Sequence, residues 1–175
     1  NPYPRLLPKL ARFELALMRF YNNTLGSRDY GVFADKCWPA FEKAFGFVPC
    51  YVNSRLASKG IPVACEVDLY GAVSEYMCQL ASDFPATLLD INNTVPCDLI
   101  SKNDDLMGAS FEDLFMGFHC GNTPSRCMKN CSLKYQYIMN RLVENGAEPD
   151  VTRGTLEGQL MPAGTTFFRL QGNSD

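Results

Sequence analysis

Between residues 6 and 21, apolar side chains recur at Leu10, Phe13, Leu17, Phe20 and Tyr21. This spacing turns one face of an α-helix towards a core. Asn22, Asn23 and Gly26 are expected to end it, since asparagine and glycine tolerate the backbone that closes a helix. The run Tyr30-Gly31-Val32-Phe33-Ala34 is short and apolar, as a buried strand would be. Trp38-Pro39 opens a short helical stretch closed by Gly46. A further helix is expected from Pro49, suited to a first turn, to Gly60, suited to a C-terminal cap.

The block that follows carries the fold expectation. Residues 61–66 read as a short buried strand, and Asp68 can cap a helix whose apolar face is Leu69, Ala72, Val73, Tyr76, Met77 and Leu80. Asp83 and Pro85 stop that helix, and residues 86–91 read as a second buried strand. Strand, helix and strand in this order predict a βαβ unit with parallel strands. After Asn92 the texture changes. Residues 92–96 form a loop, 101–105 a polar turn and 112–120 a strand interrupted by Gly117, while 133–144 fit either a helix or a long strand. Residues 155–160 and 165–171, joined by Met161-Pro162-Ala163-Gly164, read as a β-hairpin. The expected fold class is α/β: a βαβ-containing parallel sheet region over residues 1–95, then an antiparallel, strand-rich part over 96–175 that begins a β-barrel-like domain. No repeat or low-complexity tract interrupts the pattern.

Composition narrows the function classes. The 175 residues are 46% hydrophobic and 20% charged, enough to bury a core and incompatible with disorder. No apolar stretch approaches the roughly 18 to 20 residues that span a bilayer. A net charge of -3 argues against nucleic acid or an anionic membrane as the main partner. The chain starts at Asn1 without a signal-like segment, which suggests a processed or excised piece of something longer. The 8 cysteines allow two readings. A secreted framework of disulfides would agree with the sequons at Asn22, Asn92 and Asn130. A reduced, cytosolic chain agrees with the apolar settings of Cys65 and Cys78. His119, Cys120, Cys127 and Cys131 offer four zinc-compatible ligands, although without the paired spacing of the familiar zinc knuckles.

The strongest chemical signal lies at the strand ends, because parallel strands gather ligands at their carboxyl edge. Glu66 closes the first strand of the expected βαβ unit and Asp90 lies near the end of the second, both after apolar runs. On adjacent strands about 4.8 Å apart, the two carboxylates would share a crevice and repel unless a cation bridged them. Alternatively, one caps a helix and the other meets a loop lysine. His119, the single histidine, could complete a set of two carboxylates and one imidazole suited to Mn²⁺ or a similar octahedral ion. No nucleophile-elbow, Walker or dinucleotide-binding glycine pattern is present. Trp38 could stack on a sugar or fill the core.

Several segments together resemble the L-fucose isomerase family. They are Cys37-Trp38-Pro39-Ala40-Phe41, Val48-Pro49-Cys50, the run from Gly60 to Ala72 centred on Cys65-Glu66-Val67-Asp68, and Leu88-Leu89-Asp90-Ile91-Asn92-Asn93-Thr94. Phe118-His119-Cys120-Gly121-Asn122 and Gly164-Thr165-Thr166-Phe167-Phe168-Arg169 resemble segments of that family's relatives, and His119 resembles the first histidine of the arabinose isomerase pattern, so the likeness runs from about Trp38 to Arg169. The resemblance implies a manganese-dependent aldose–ketose isomerase, cytoplasmic and homo-oligomeric, acting on a fucose- or arabinose-type monosaccharide through an enediol. It maps the family's two acidic metal and proton-transfer residues onto Glu66 and Asp90. Glu66 is then the base at C2 and a metal ligand, Asp90 a metal ligand and partner in proton transfer, and His119 the counterpart of a metal-binding histidine. The family is longer, with an N-terminal α/β domain and a distant C-terminal histidine, so the chain alone is expected to be inactive. The competing class is a non-catalytic sugar- or metal-binding relative, or a zinc-stabilised module.

Overall fold

The computed structural model describes residues 4–101, 105–135 and 153–173. Their chain contacts divide into two units, one formed by residues up to 88 and from 120 onwards, the other by residues 89–119. Among the described residues no helix is long and apolar enough to cross a membrane.

The first unit begins with α1, Leu6–Leu25. It runs past Asn22 and Asn23, and Gly26 ends it at φ 59°, with its N–H donated to the Asn22 carbonyl at 3.1 Å. Leu6, Leu10 and Tyr21 are buried, Phe13, Leu17 and Met18 pack beside them, and Phe20 faces solvent. The partners come from α2, Glu42–Phe45, and α3, Cys50–Ala57, which follow a π-helical turn at Cys37–Phe41. Phe13 meets Phe41 edge-on at 4.9 Å and Phe47 at 5.4 Å, while Tyr21 stacks on Phe33 at 3.6 Å. Val52, Leu56 and Val63 complete this core, each such side chain contributing about 1.5–3 kcal/mol by leaving water. The side chain of Trp38 lies outside the described residues.

The parallel pair forms one step earlier in the chain than expected. β1, Phe33–Ala34, lies beside β2, Val63–Ala64, in the register Phe33 to Val63 and Ala34 to Ala64, with α2 and α3 in the crossover. The expected partner of β2, around residues 86–91, instead supplies β3 of the second unit. Burial explains the choice, since α3 and the turn before it hold β1 against β2 through Val52, Leu56 and Phe41.

α4, Leu69–Ala81, starts at its expected cap, where Asp68 Oδ1 accepts the Gly71 N–H at 2.8 Å. Its buried side differs from the expected apolar stripe. Gly71, Ala72, Ser74 and Glu75 face inwards, whereas Leu69, Met77 and Leu80 are exposed. The C-terminal segment accounts for part of this: the Leu170 N–H donates to Ser74 Oγ at 2.9 Å, and Arg169 reaches Asp68. The expected hairpin between 155–160 and 165–171 is therefore absent. β6, Arg153–Leu160, pairs antiparallel with β5, Met128–Tyr135, and the residues after Leu160 form no strand and reach α4 instead. Residues 133–135 extend β5, and the rest of 133–144 lies outside the described residues.

The second unit is a small antiparallel ribbon. β3, Asp90–Asn92, pairs with β4, Met116–Phe118, placing Asp90 opposite Phe118 and Ile91 opposite Gly117. Between them, Ser110 and Asp113 cap a 3₁₀ turn at Phe111–Asp113 reciprocally. The fold is thus mixed α/β. Among the described residues the three sheets are two-stranded, and none closes into a barrel.

Candidate functional site at the carboxyl ends of the parallel strands

β1 and β2 both point their carboxyl ends at the same short stretch of backbone. β1 runs into Asp35, whose N–H donates to the Ala64 carbonyl at 2.9 Å. β2 runs into Cys65 and Glu66, and the Val67 N–H returns to the Asp35 carbonyl at 2.9 Å. Asp68 then closes the turn, its N–H donated to the Cys65 carbonyl at 3.1 Å. Glu66 and Val67 both sit at φ 60°, the left-handed region that L-residues avoid and that a β-branched valine enters only under constraint. Two such residues in succession cost of order 1–3 kcal/mol each, and the bonds to Asp35 and the Asp68 cap hold them there. The result is a fixed turn that leaves Glu66 exposed at the mouth of the strand pair.

Beneath the turn lies a polar cluster. Asp35 Oδ2 accepts the Asn53 Nδ2–H at 2.8 Å. Asp35 Oδ1 is buried and has no hydrogen-bond partner among the described residues, and the same holds for Oδ1 of the fully buried Asn53. Burial pushes the Asp35 carboxyl up to about 6, partly offset by the Asn53 bond. Cys37 and Cys65 are each 2% exposed. Proximity to the Cys65 thiol holds the Cys37 thiol below its ordinary value, and proximity to Cys37 together with burial holds the Cys65 thiol above it. Cys50 is pushed up by complete burial.

Segments distant in sequence converge on this end of the unit. Arg169 grips Asp68 through two bonds, at 2.6 and 3.0 Å, and holds the Asp68 carboxyl below the usual carboxylate range. Asn122 donates Nδ2–H to the Val63 carbonyl at 3.0 Å, and Ser54 Oγ donates to the Thr123 carbonyl at 2.6 Å. Gly121, at φ 148°, lies so close to its neighbours that a Cβ would stand 2.6 Å from Thr155 Cγ2 and 3.0 Å from Cys50 Cβ. A surface groove of about 390 Å³, lined in part by Lys59, Gln79, Asp83 and Arg126, shares no residue with the cluster.

The residues singled out from the sequence divide between the two units. Glu66 stands on the strained turn of the first. Asp90 opens β3 of the second, exposed, and half-buried His119 follows β4 directly, so the ribbon brings Asp90 and His119 to one end. Glu66 and Asp90 are not on neighbouring parallel strands, because β2 pairs with β1 and β3 with β4. Among the described residues, His119, Cys120, Cys127 and Cys131 form no three-ligand group. Among the described residues the single group of three whose ligand atoms all lie within 4.8 Å of one another is Asp35, Cys37 and Cys65. All eight cysteines are free thiols, and Cys127 donates to the Pro85 carbonyl at 3.3 Å. Sequence reasoning missed Asp35, although it carries the same mark as Glu66, an acidic residue directly after a short apolar run. It also missed Asn53, for which no local pattern exists.

No family model matches the chain, and no solved structure does. Curated relatives do. The chain is 36% identical over 61 residues to the sulfoquinovose isomerase of Clostridium sp. (strain MSTE9), covering 35% of this chain and 14% of the relative. It is 27% identical over 118 residues to the sulfoquinovose isomerase of Alkalicoccus urumqiensis, covering 64% of this chain and 24% of the relative. The sulfoquinovose isomerase of Priestia aryabhattai is 26% identical over 77 residues, covering 44% and 16%. The chain therefore spans between about a seventh and a quarter of the length of these relatives.

Proposed function

We propose that this chain is a portion of an aldose–ketose isomerase acting on a monosaccharide, and that Glu66 is its C2 base. One observation carries the reading: in a chain similar to sulfoquinovose isomerases, the strained turn after β2 displays a carboxylate at the carboxyl edge of a parallel strand pair. In the proposed reaction Glu66 removes the proton from C2 of the open-chain aldose while O1 takes a proton from water, leaving an enediol; O2 then releases its proton to water, balancing the one O1 gained, as Glu66 returns its proton to C1. The ketose follows without net oxidation or reduction. Arg169 on Asp68 and the Asp35 carbonyl on Val67 keep the turn fixed, so the carboxylate needs little reorganisation to act.

A divalent cation belongs to this reading. The resemblance assigns it the carboxylates of Glu66, in the first unit, and Asp90, in the second, and the imidazole of His119, also in the second; these donor types suit a hard octahedral ion such as Mn²⁺ better than the thiol-rich set of Asp35, Cys37 and Cys65 does. When bound, such an ion supplies Lewis acidity for the sugar's O1 and O2. The same reading makes the whole protein a cytoplasmic homo-oligomer whose sugar is of the fucose, arabinose or sulfoquinovose type.

The test is to assay the protein that carries this chain with sulfoquinovose, L-fucose and L-arabinose, beside its Glu66→Gln variant. The reading expects interconversion of at least one sugar and its loss by at least about 100-fold in the variant, the usual weight of a positioned base. The 175-residue chain alone is expected to be inactive. Turnover undiminished in Glu66→Gln contradicts the assignment.

A further inference from the structure

We propose that Asp35, Cys37 and Cys65 form a zinc site of their own, which clamps the carboxyl ends of β1 and β2 beneath the Glu66 turn. Their ligand atoms lie within 4.8 Å of one another, as the donors of one tetrahedral ion must, and no other such trio occurs among the described residues. Two thiolates and one carboxylate are a borderline-soft set that favours Zn²⁺ over Mn²⁺ or Mg²⁺.

Two further features of the molecule agree. Asp35 Oδ1 is buried without a donor among the described residues, leaving its lone pairs for a metal. Asp35 Oδ2 is held at 2.8 Å by Asn53, itself 0% exposed, as outer hydrogen bonds orient a ligating carboxylate. Three anionic ligands around Zn²⁺ leave one net negative charge, and the Asn53 N–H faces the carboxylate that shares it. With three protein ligands, the fourth position falls to water or a small anion. The ligands flank the strained segment on both sides, Asp35 bonding Val67 and Cys65 preceding Glu66. Bound zinc therefore stabilises the turn in proportion to its affinity for the folded chain.

The experiment uses the 175-residue chain, expressed in zinc-supplemented medium and also reconstituted with Co²⁺ after chelator treatment. The site predicts one equivalent of zinc retained through dialysis, and near-ultraviolet thiolate-to-metal charge-transfer absorption in the cobalt form. Both should be lost in Cys37→Ser and in Cys65→Ser and kept in Cys97→Ser, whose thiol is exposed and outside the cluster. A cation on carboxylates and imidazole alone gives no such band, so the outcome is independent of the isomerase assignment. Should a serine variant fail to fold, the unmutated chain still decides. Substoichiometric zinc, or a cobalt form without the charge-transfer band, overturns the site. Metal retained equally in the two folded serine variants overturns it as well.

Discussion

Glu75 sits on the inward face of α4, 4% exposed, and neither carboxylate oxygen has a hydrogen-bond partner among the described residues. Burial alone pushes its carboxyl from an ordinary 4.5 up to about 7. The consequence for stability has a definite sign. Below the unfolded value of 4.5 both states are protonated and Glu75 imposes no charge penalty. As the pH rises from 4.5 to about 7, the unfolded chain releases a proton that the folded chain keeps, and stability falls. Above about 7 the folded state carries the full penalty. At 1.36 kcal/mol per pH unit, the rise from 4.5 to about 7 corresponds to about 3 kcal/mol. Glu75→Gln keeps the shape and cannot ionise. The stability gap between variant and parent should therefore widen in the variant's favour by about 3 kcal/mol between pH 4 and pH 8. For a chain of this size that is a relative shift of roughly 6–12 °C in Tm. Urea or thermal unfolding of both proteins across this range measures the gap, and contributions from all other groups cancel in the difference. A gap that stays constant with pH would refute the claim that Glu75 is a buried carboxyl without a partner.

Two other substitutions probe the turn and its surroundings. Val67→Gly removes a side chain that is half-exposed and held at φ 60°. Relief of about 1–2 kcal/mol of left-handed strain outweighs the 0.4–1 kcal/mol of added unfolded-state entropy, so the urea midpoint should stay or rise; a fall of about 1 kcal/mol or more would deny the strain. Gly121→Ala places a Cβ 2.6 Å from Thr155 Cγ2 at a backbone angle of 148° and should destabilise by about 1–3 kcal/mol, measured the same way.

How much of this was legible depends on whether the cause was local. The α1 stripe of Leu10, Phe13 and Leu17 and the Asp68 cap of α4 follow from spacing and from one side chain reaching its own helix, and both stand in the structure. The partner of β2 was not legible, because β1 is two residues long and owes its place to packing by α3 and Phe41 rather than to any periodicity. The inward face of α4 was misread for a related reason. Contacts from the distant Arg169 and Leu170 select Gly71 and Ser74, and no pattern within the helix announces them. The strand-end rule rightly placed Glu66 directly after β2, but it paired β2 with the wrong neighbouring strand and so passed over Asp35. Asn53 gains its meaning only from a carboxylate 18 residues away.

The account turns on Glu66 as the group that moves the C2 proton. In D₂O, the protein carrying this chain should introduce solvent deuterium at C1 of the ketose formed from its aldose, because the carboxylate exchanges its proton while the enediol persists. The Glu66→Gln variant, folded as judged by circular dichroism, should introduce none within the same time, since an amide cannot accept the proton. Deuterium appearing at C1 at the same rate in both proteins would contradict the account.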